Sequence, residues 1–408
     1  MASDAPFPIA AVRARFPALG AAAFFDAPGG TQACDAAIDA MARHLRSGTA
    51  NSGGAFATSV ATDALSATAH AAMADLLGGR AGEVAFGPNM TSLTLAASRA
   101  LARGWGAGDN LVVTRLDHDA NVAPWLAVAA DRSIDVRWLD FDPETGTLRL
   151  DQLPELLDGG TRLVAAGAAS NALGTLNDVA AIVATVRARS TALVYVDAVQ
   201  SVPHVATDVA ALGCDFLACS PYKFFGPHQG VLWGSAAAWE RLDAYKVRPA
   251  NSDGAHRLEA GTPSFEGQAG VLGTVEYLDW LGGVVAPEAN SRRARLLSAM
   301  AASAAYERGL GERLLAGLAR IEGLRLYGPP TMAGRVPTFA FTLADHHPDA
   351  VAAHLAARDL YAWSGHFYAV EVIRRLGLEE AGGLVRVGLC HYSTADEVDR
   401  LIAALKEL

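Results

Sequence analysis

The sequence predicts an α/β fold: a mostly parallel central sheet flanked by helices, followed by a smaller α+β C-terminal domain. Three observations predict it. Apolar segments at 110–114, 163–166, 192–196 and 216–219 lack strict polar alternation, as strands buried on both faces do. Segments with helical spacing at 35–46, 61–77, 91–102 and 178–189 separate them, the rhythm of parallel strands joined by crossover helices. After Gly282-Gly283 the character changes to a long Arg/Ala/Leu helix at 291–319.

Shorter strands are expected at 83–86, 136–139 and 230–233, completing the first sheet. Beyond residue 319, strands are expected at 324–327, 338–342 and 384–388, with helices at 348–358 and from 395 to about 405. A chain of 408 residues exceeds one ordinary core, so two domains are expected. The large one spans 20–283; the small one combines 1–19 with 284–408.

Composition narrows the function classes. With 51% hydrophobic and 19% charged residues the chain suits a globular enzyme rather than a disordered one. A net charge of −10 argues against nucleic acid and anionic membrane surfaces as partners. No apolar run is long enough for a membrane span, and residues 1–6 lack a basic n-region, so a cytoplasmic protein is expected. Cys34, Cys214, Cys219 and Cys390 are scattered without a CxxC pair, which indicates neither a disulfide framework nor a zinc site. His346-His347 reads as a loop pair, and no metal is expected there.

The chemistry gathers at predicted strand ends, where open α/β sheets bind ligands. Lys223, in Ser220-Pro221-Tyr222-Lys223-Phe224-Phe225-Gly226-Pro227, has apolar and aromatic neighbours that favour its neutral amine. A neutral amine can form a Schiff base with an aldehyde. Asp197 ends an apolar strand, where a carboxylate requires a partner; a pyridinium N–H would be one. Together they point to pyridoxal 5'-phosphate (PLP). Gly87-Pro88-Asn89-Met90-Thr91-Ser92 leads from strand to helix, either a phosphate cradle or a plain Asn cap. His118 could stack on the pyridine ring, shuttle protons and protonate a leaving group, or merely bond Asp117 or Asp119. Gln200 can donate to the phenolic oxygen of the cofactor, and Ser220 to its phosphate. Asn171 and Arg386 look like clamps for a carboxylate, with a structural ion pair as the other account of Arg386.

These residues stand in motifs that together are specific. Besides those quoted, they include Phe25-Asp26-Ala27-Pro28-Gly29-Gly30, Asp117-His118-Asp119-Ala120-Asn121, Ser170-Asn171-Ala172-Leu173-Gly174-Thr175, Glu259-Ala260-Gly261-Thr262-Pro263 and Val385-Arg386-Val387-Gly388. The chain resembles the class V aminotransferase family of fold type I PLP enzymes, and within it the cysteine desulfurase/selenocysteine lyase branch. The resemblance implies Lys223 as the Schiff-base lysine, Asp197 as the pyridinium partner, His118 as the stacking ring and Gln200 as the phenolate contact. It implies a phosphate site of Asn89, Met90, Ser220 and Tyr222, the last standing where many relatives have histidine. Asn171, Arg386, Gly29 and Tyr368 fall on the substrate side. Thr262 would reach the phosphate of a neighbouring subunit, which implies a homodimer with shared sites.

The departures are equally informative. In Trp363-Ser364-Gly365-His366-Phe367-Tyr368, Tyr368 occupies the place of the sulfur-accepting cysteine. A phenol does not take up sulfur as a thiolate does. Asn51-Ser52-Gly53-Gly54 lacks a histidine found in close relatives, and this loop is expected to shape the pocket with Trp363, Phe367 and Tyr368. The expected activity is C–S cleavage by β-elimination on a cysteine-derived amino acid. Transamination, epimerisation, or desulfuration through Cys219 or Cys390 remain as alternatives, and a non-catalytic binding protein is the rival from another class.

Overall fold

The structure is a computed structural model that describes residues 7–408; the expected N-terminal part of the small domain at 1–6 lies outside the described residues. Thirteen strands form three sheets among the described residues. In chain order they are β1 (Ala23–Phe24), β2 (Val84–Gly87), β3 (Asn110–Thr114), β4 (Asp135–Leu139), β5 (Thr161–Gly167), β6 (Leu193–Asp197), β7 (Phe216–Cys219) and β8 (Gly230–Gly234). They continue with β9 (Leu324–Tyr327), β10 (Thr338–Leu343), β11 (Leu360–Tyr361), β12 (Trp363–Gly365) and β13 (Leu384–Gly388).

The main sheet has seven strands in the order β2-β8-β7-β6-β5-β3-β4. Strands β4, β3, β5, β6 and β7 pair in parallel, and β8 runs antiparallel to both β7 and β2. Seven strands therefore share one direction except β8, and the carboxyl ends of β2, β3, β5, β6 and β7 meet at one edge. Every residue of β3, β6 and β7 is buried, which explains why these segments read as continuous apolar runs.

The second sheet is antiparallel, in the order β12-β13-β10-β9. Its register sets Trp363 opposite Arg386, and Arg386 opposite Ala340. Strand β1 pairs in parallel with β11, and a bridge joins Asp26 to Gly388, carrying the 25–30 segment to the end of β13. The N-terminal segment is anchored by a Phe7–Tyr306 stack at 4.4 Å and an Arg13–Glu397 pair at 2.9 Å.

Two local outcomes differ from the sequence expectation. The helix expected from 61 begins at Ala57, because the Ser59 hydroxyl accepts the Gly54 N–H at 2.7 Å and stabilises the first turn despite poor helix formers there. The helix Phe265–Val285 runs through Gly282-Gly283. A Cβ on Gly282 would collide with the Arg295 backbone, so glycine there permits close packing of the helix Arg292–Leu318.

Candidate active site

The shared strand edge gathers the reactive side chains. Lys223 lies in the single turn Pro221–Lys223 just after β7, and only 8% of its surface is exposed. Its Nζ donates to the Pro28 carbonyl. Burial first, then the positive charge of Arg386, pushes its pKa down to about 7, against the pull of Asp197 and Asp26. Asp197 ends β6 on the neighbouring strand. The Val199 N–H donates to its Oδ1 at 2.9 Å, and burial raises its pKa to about 7, with the nearby Asp117 adding to the rise.

His118 follows β3. The Ala120 N–H donates to its Nδ1 at 3.0 Å, so the neutral ring carries its proton on Nε2. Burial, followed by the charges of Lys223 and Arg386, lowers its pKa to about 4. Neighbouring Asp117 accepts from Thr114 Oγ1 at 2.6 Å, Asn121 Nδ2 at 2.7 Å and the Gly167 N–H at 2.9 Å, which locks this loop to β5. Gln200 Nε2 donates to the Pro28 carbonyl at 2.6 Å, so its amide is committed to the same acceptor as Lys223.

Two connected cavities occupy the edge. The inner one, about 50 Å³, is floored by Asp197, Gln200 and Gly167 and bordered by Met90, His118 and Lys223. The outer one, about 700 Å³, shares His118, Asn171, Tyr222 and Lys223 with it and adds Gly29, Arg386 and Tyr368. Arg386 is fully buried on β13; its Nη1 donates to the Asn171 carbonyl at 2.9 Å, and its guanidinium lies 4.2 Å from the centre of the Phe367 ring. Burial lowers its pKa to about 9. Arg386 Nε and Asn171 Oδ1 are buried without a hydrogen-bond partner. A site with an unused guanidinium N–H beside an apolar face calls for an anionic ligand atom.

The phosphate end is distinct. Asn89 caps the helix Met90–Leu101 by accepting the Ser92 N–H at 2.8 Å, so its side chain does the ordinary capping work. The Met90 N–H points to Ser220 Oγ at 3.4 Å, placing backbone donors and the hydroxyl together at the helix start. Tyr222 stacks on His228 with ring centres 4.7 Å apart. These groups fit a PLP molecule: a buried carboxyl for the ring nitrogen, a buried lysine with a lowered pKa for the aldehyde and a helix N-terminus for the phosphate.

Thr262 and the loop 51–54 are not brought to this edge. Thr262, Asn51 and Ser52 line a separate cavity with His70 and Glu259, and Gly53-Gly54 do not line the outer cavity as expected. The physical reason is an anchor elsewhere: Glu259 accepts from His70 at 2.8 Å, His256 at 2.7 Å and the Phe86 N–H at 2.8 Å, tying the Thr262 segment to β2. The sequence also passed over Asp26, whose Oδ1 is buried without a partner and whose pKa is raised by burial. Its place at the head of the Phe25–Gly30 motif was the available signal. The four cysteines are buried, and none lines either cavity.

A buried strand-end lysine beside a buried carboxyl, at the carboxyl edge of this sheet, defines a fold type I PLP enzyme. The Aminotransferase class-V family description matches residues 23–401, and the chain belongs to that family. It is 32% identical to a cysteine desulfurase of Klebsiella pneumoniae (strain 342), over 98% of each chain. It is 33% identical to the aminotransferase-like protein FGM3 of Gibberella zeae, over 99% of each. Among solved structures it is similar to the apo cysteine desulfurase of Thermococcus onnurineus NA1, with a TM-score of 0.89, 25% identity, and coverage of 100% of this chain and 99% of that one. No helix among the described residues is long and apolar enough to cross a membrane.

Proposed function

We propose that this enzyme cleaves the Cβ–S bond of a cysteine-derived amino acid by β-elimination. The carrying observation is the pairing of a buried Lys223, poised at the cavities, with the absence of any cysteine among their lining residues. The cysteine desulfurase relatives support sulfur chemistry on an amino acid. Tyr368 in place of a thiol leaves no acceptor to form a persulfide.

PLP, when bound, supplies an electron sink for the pair left at Cα. Asp197 would keep the ring nitrogen protonated. Arg386, with Asn171, would hold the substrate carboxylate and so set which Cα bond is presented. Lys223 would hold the cofactor and, once released, remove the Cα proton. The depressed pKa of His118 makes its Nε2–H a hydrogen-bond donor rather than a proton donor. The sequence favours His118 as the acid for the leaving group; its lowered pKa favours Lys223, which would carry the Cα proton to the departing sulfur. Per turnover one water is consumed, and a thiol or sulfide, pyruvate and ammonia are released.

The placement of Thr262, Asn51 and Ser52 at a separate cavity supports a homodimer in which these residues serve the partner's site. The large domain 20–283 and the small domain 1–19 with 284–408 remain our proposed division, and a cytoplasmic location our proposed setting.

Incubating the PLP-loaded enzyme with cysteine and its S-substituted derivatives tests the reaction. Equimolar thiol, pyruvate and ammonia, all lost in Lys223→Ala, are expected. The Gibberella zeae relative's name favours transamination as a second reading; a 2-oxo acid formed without thiol or ammonia would mark it.

A further inference from the structure

The outer cavity is built for more than a cysteine. Its volume of about 700 Å³ must also take in part of the cofactor, for which the inner cavity of about 50 Å³ is too small, and the rest is left for substrate. Its polar groups, Lys223, His118, Asn171 and Arg386, are accounted for by the cofactor and the amino-acid head. What remains is mainly apolar, with the Thr91 and Ser364 hydroxyls among it. Leu95, Ala123 and Pro124 form one wall, and Trp363, Phe367 and Tyr368 the other. Asp119, His366 and the phenols of Tyr222 and Tyr368 are the remaining titratable lining groups. The backbones of Asp119 and His366 serve the loop: the Asp119 N–H donates to the Tyr368 carbonyl at 2.7 Å, and the Ala369 N–H donates to the His366 carbonyl at 2.7 Å.

The aromatic wall is also held in place. Phe367 and Tyr368 are consecutive non-glycine residues with φ of 53° and 58°. Such a conformation is strained and persists only where its surroundings over-determine it. Here Asn171 Nδ2 donates to the Phe367 carbonyl at 2.8 Å, and the Tyr368 N–H donates to His366 Nδ1 at 3.0 Å. The Tyr368 ring stacks against His118 with centres 5.6 Å apart. Even so, 67% of Tyr368 and 52% of Trp363 stay exposed. These aromatic rings line a cavity wall that the apolar end of a substrate would cover.

Resting on the proposed elimination, we infer that the substrates are L-cysteine S-conjugates carrying an aromatic or similarly bulky apolar group on sulfur. The amino-acid head lies at Arg386 and Lys223, and the S-substituent lies between Leu95/Pro124 and Trp363/Tyr368. The Cβ–S bond breaks with its electron pair going to sulfur, which takes the proton from Lys223 and leaves as a thiol. A free thiol needs no protein nucleophile, in keeping with Tyr368.

The test compares S-methyl- and S-benzyl-L-cysteine. Binding is measured by calorimetry on PLP-loaded Lys223→Ala, and kcat/KM on the wild-type holoenzyme. Burying the phenyl ring is expected to tighten binding about ten- to a hundred-fold, and Tyr368→Ala to shrink that ratio. Equal or weaker binding of the S-benzyl compound overturns the inference. If pyruvate forms from S-methylcysteine without a preference for bulk, the elimination survives and this pocket assignment falls. If S-benzylcysteine binds more tightly but no conjugate yields thiol, the pocket assignment stands and the elimination falls.

Discussion

The pH dependence of PLP capture by the apoenzyme tests the central feature, a lysine whose proton is held weakly. An ordinary lysine has its pKa near 10.5, and burial with the Arg386 charge brings Lys223 to about 7. At pH 7 the neutral fraction rises from roughly one in three thousand to about one half. Only the neutral amine attacks an aldehyde, so capture should gain about tenfold per pH unit below 7 and level off by about pH 8. The assay mixes apoenzyme with PLP for fixed times from pH 5.5 to 10, traps with borohydride and quantifies the labelled Lys223 peptide by mass spectrometry. Charge neighbours should move the midpoint in opposite senses. Arg386→Met removes a cation that lowers the pKa and should raise the midpoint; Asp197→Asn removes an anion that raises it and should lower the midpoint. A rate still climbing at pH 9.5, or label on another peptide, would refute the reasoning.

The same burial should be visible as lost stability. The folded-state pKa of Lys223 lies below its unfolded value, so the unfolded chain binds the extra proton between about pH 7 and 10.5 and the folded state is penalised at lower pH. Apo Lys223→Met should therefore melt above wild type at pH 6, with the gain fading toward pH 10 in thermal scans. Arg386→Met should raise substrate KM about a hundred-fold or more, since it strips a buried charged partner from the carboxylate; steady-state kinetics with KM and kcat resolved separately check this. Cys219 and Cys390 are wholly buried and burial pushes both thiols well above their ordinary range, so Cys219→Ser and Cys390→Ser should retain elimination activity and native protein should yield no persulfide on either. In Gly230→Ala the new methyl would collide with the Asn89 backbone at the phosphate-side helix start. PLP affinity should fall, as equilibrium titration would show.

Much of the architecture was legible because local physics wrote it into local sequence. Strands buried on both faces must be apolar throughout, so β3, β5, β6 and β7 announced themselves, and the Asn89 cap marked a helix start. Two boundaries eluded the pattern. Ser59 contributes through its hydroxyl rather than its helix propensity. Gly282-Gly283 looks like a break, yet glycine there serves a close helix crossing.

By itself the sequence determined the reactive inventory: a lysine among aromatics, a carboxylate closing an apolar strand, an arginine inside another, and no thiol at position 368. These are statements about composition at single positions, where burial of a charge is improbable without a partner. Only the tertiary structure decided which of them meet. Shared strand direction brought Lys223, Asp197, His118 and Asn171 to one edge, while β13 delivered Arg386 from a second sheet. It also separated Thr262 from them and left the Oδ1 atom of Asp26 buried without a partner. Distances between residues 195 positions apart, such as Pro28 and Lys223, follow from how sheets stack and not from any neighbouring residue. The size and aromatic lining of the outer cavity belong to the same category, because a cavity is the space that several distant segments leave unfilled.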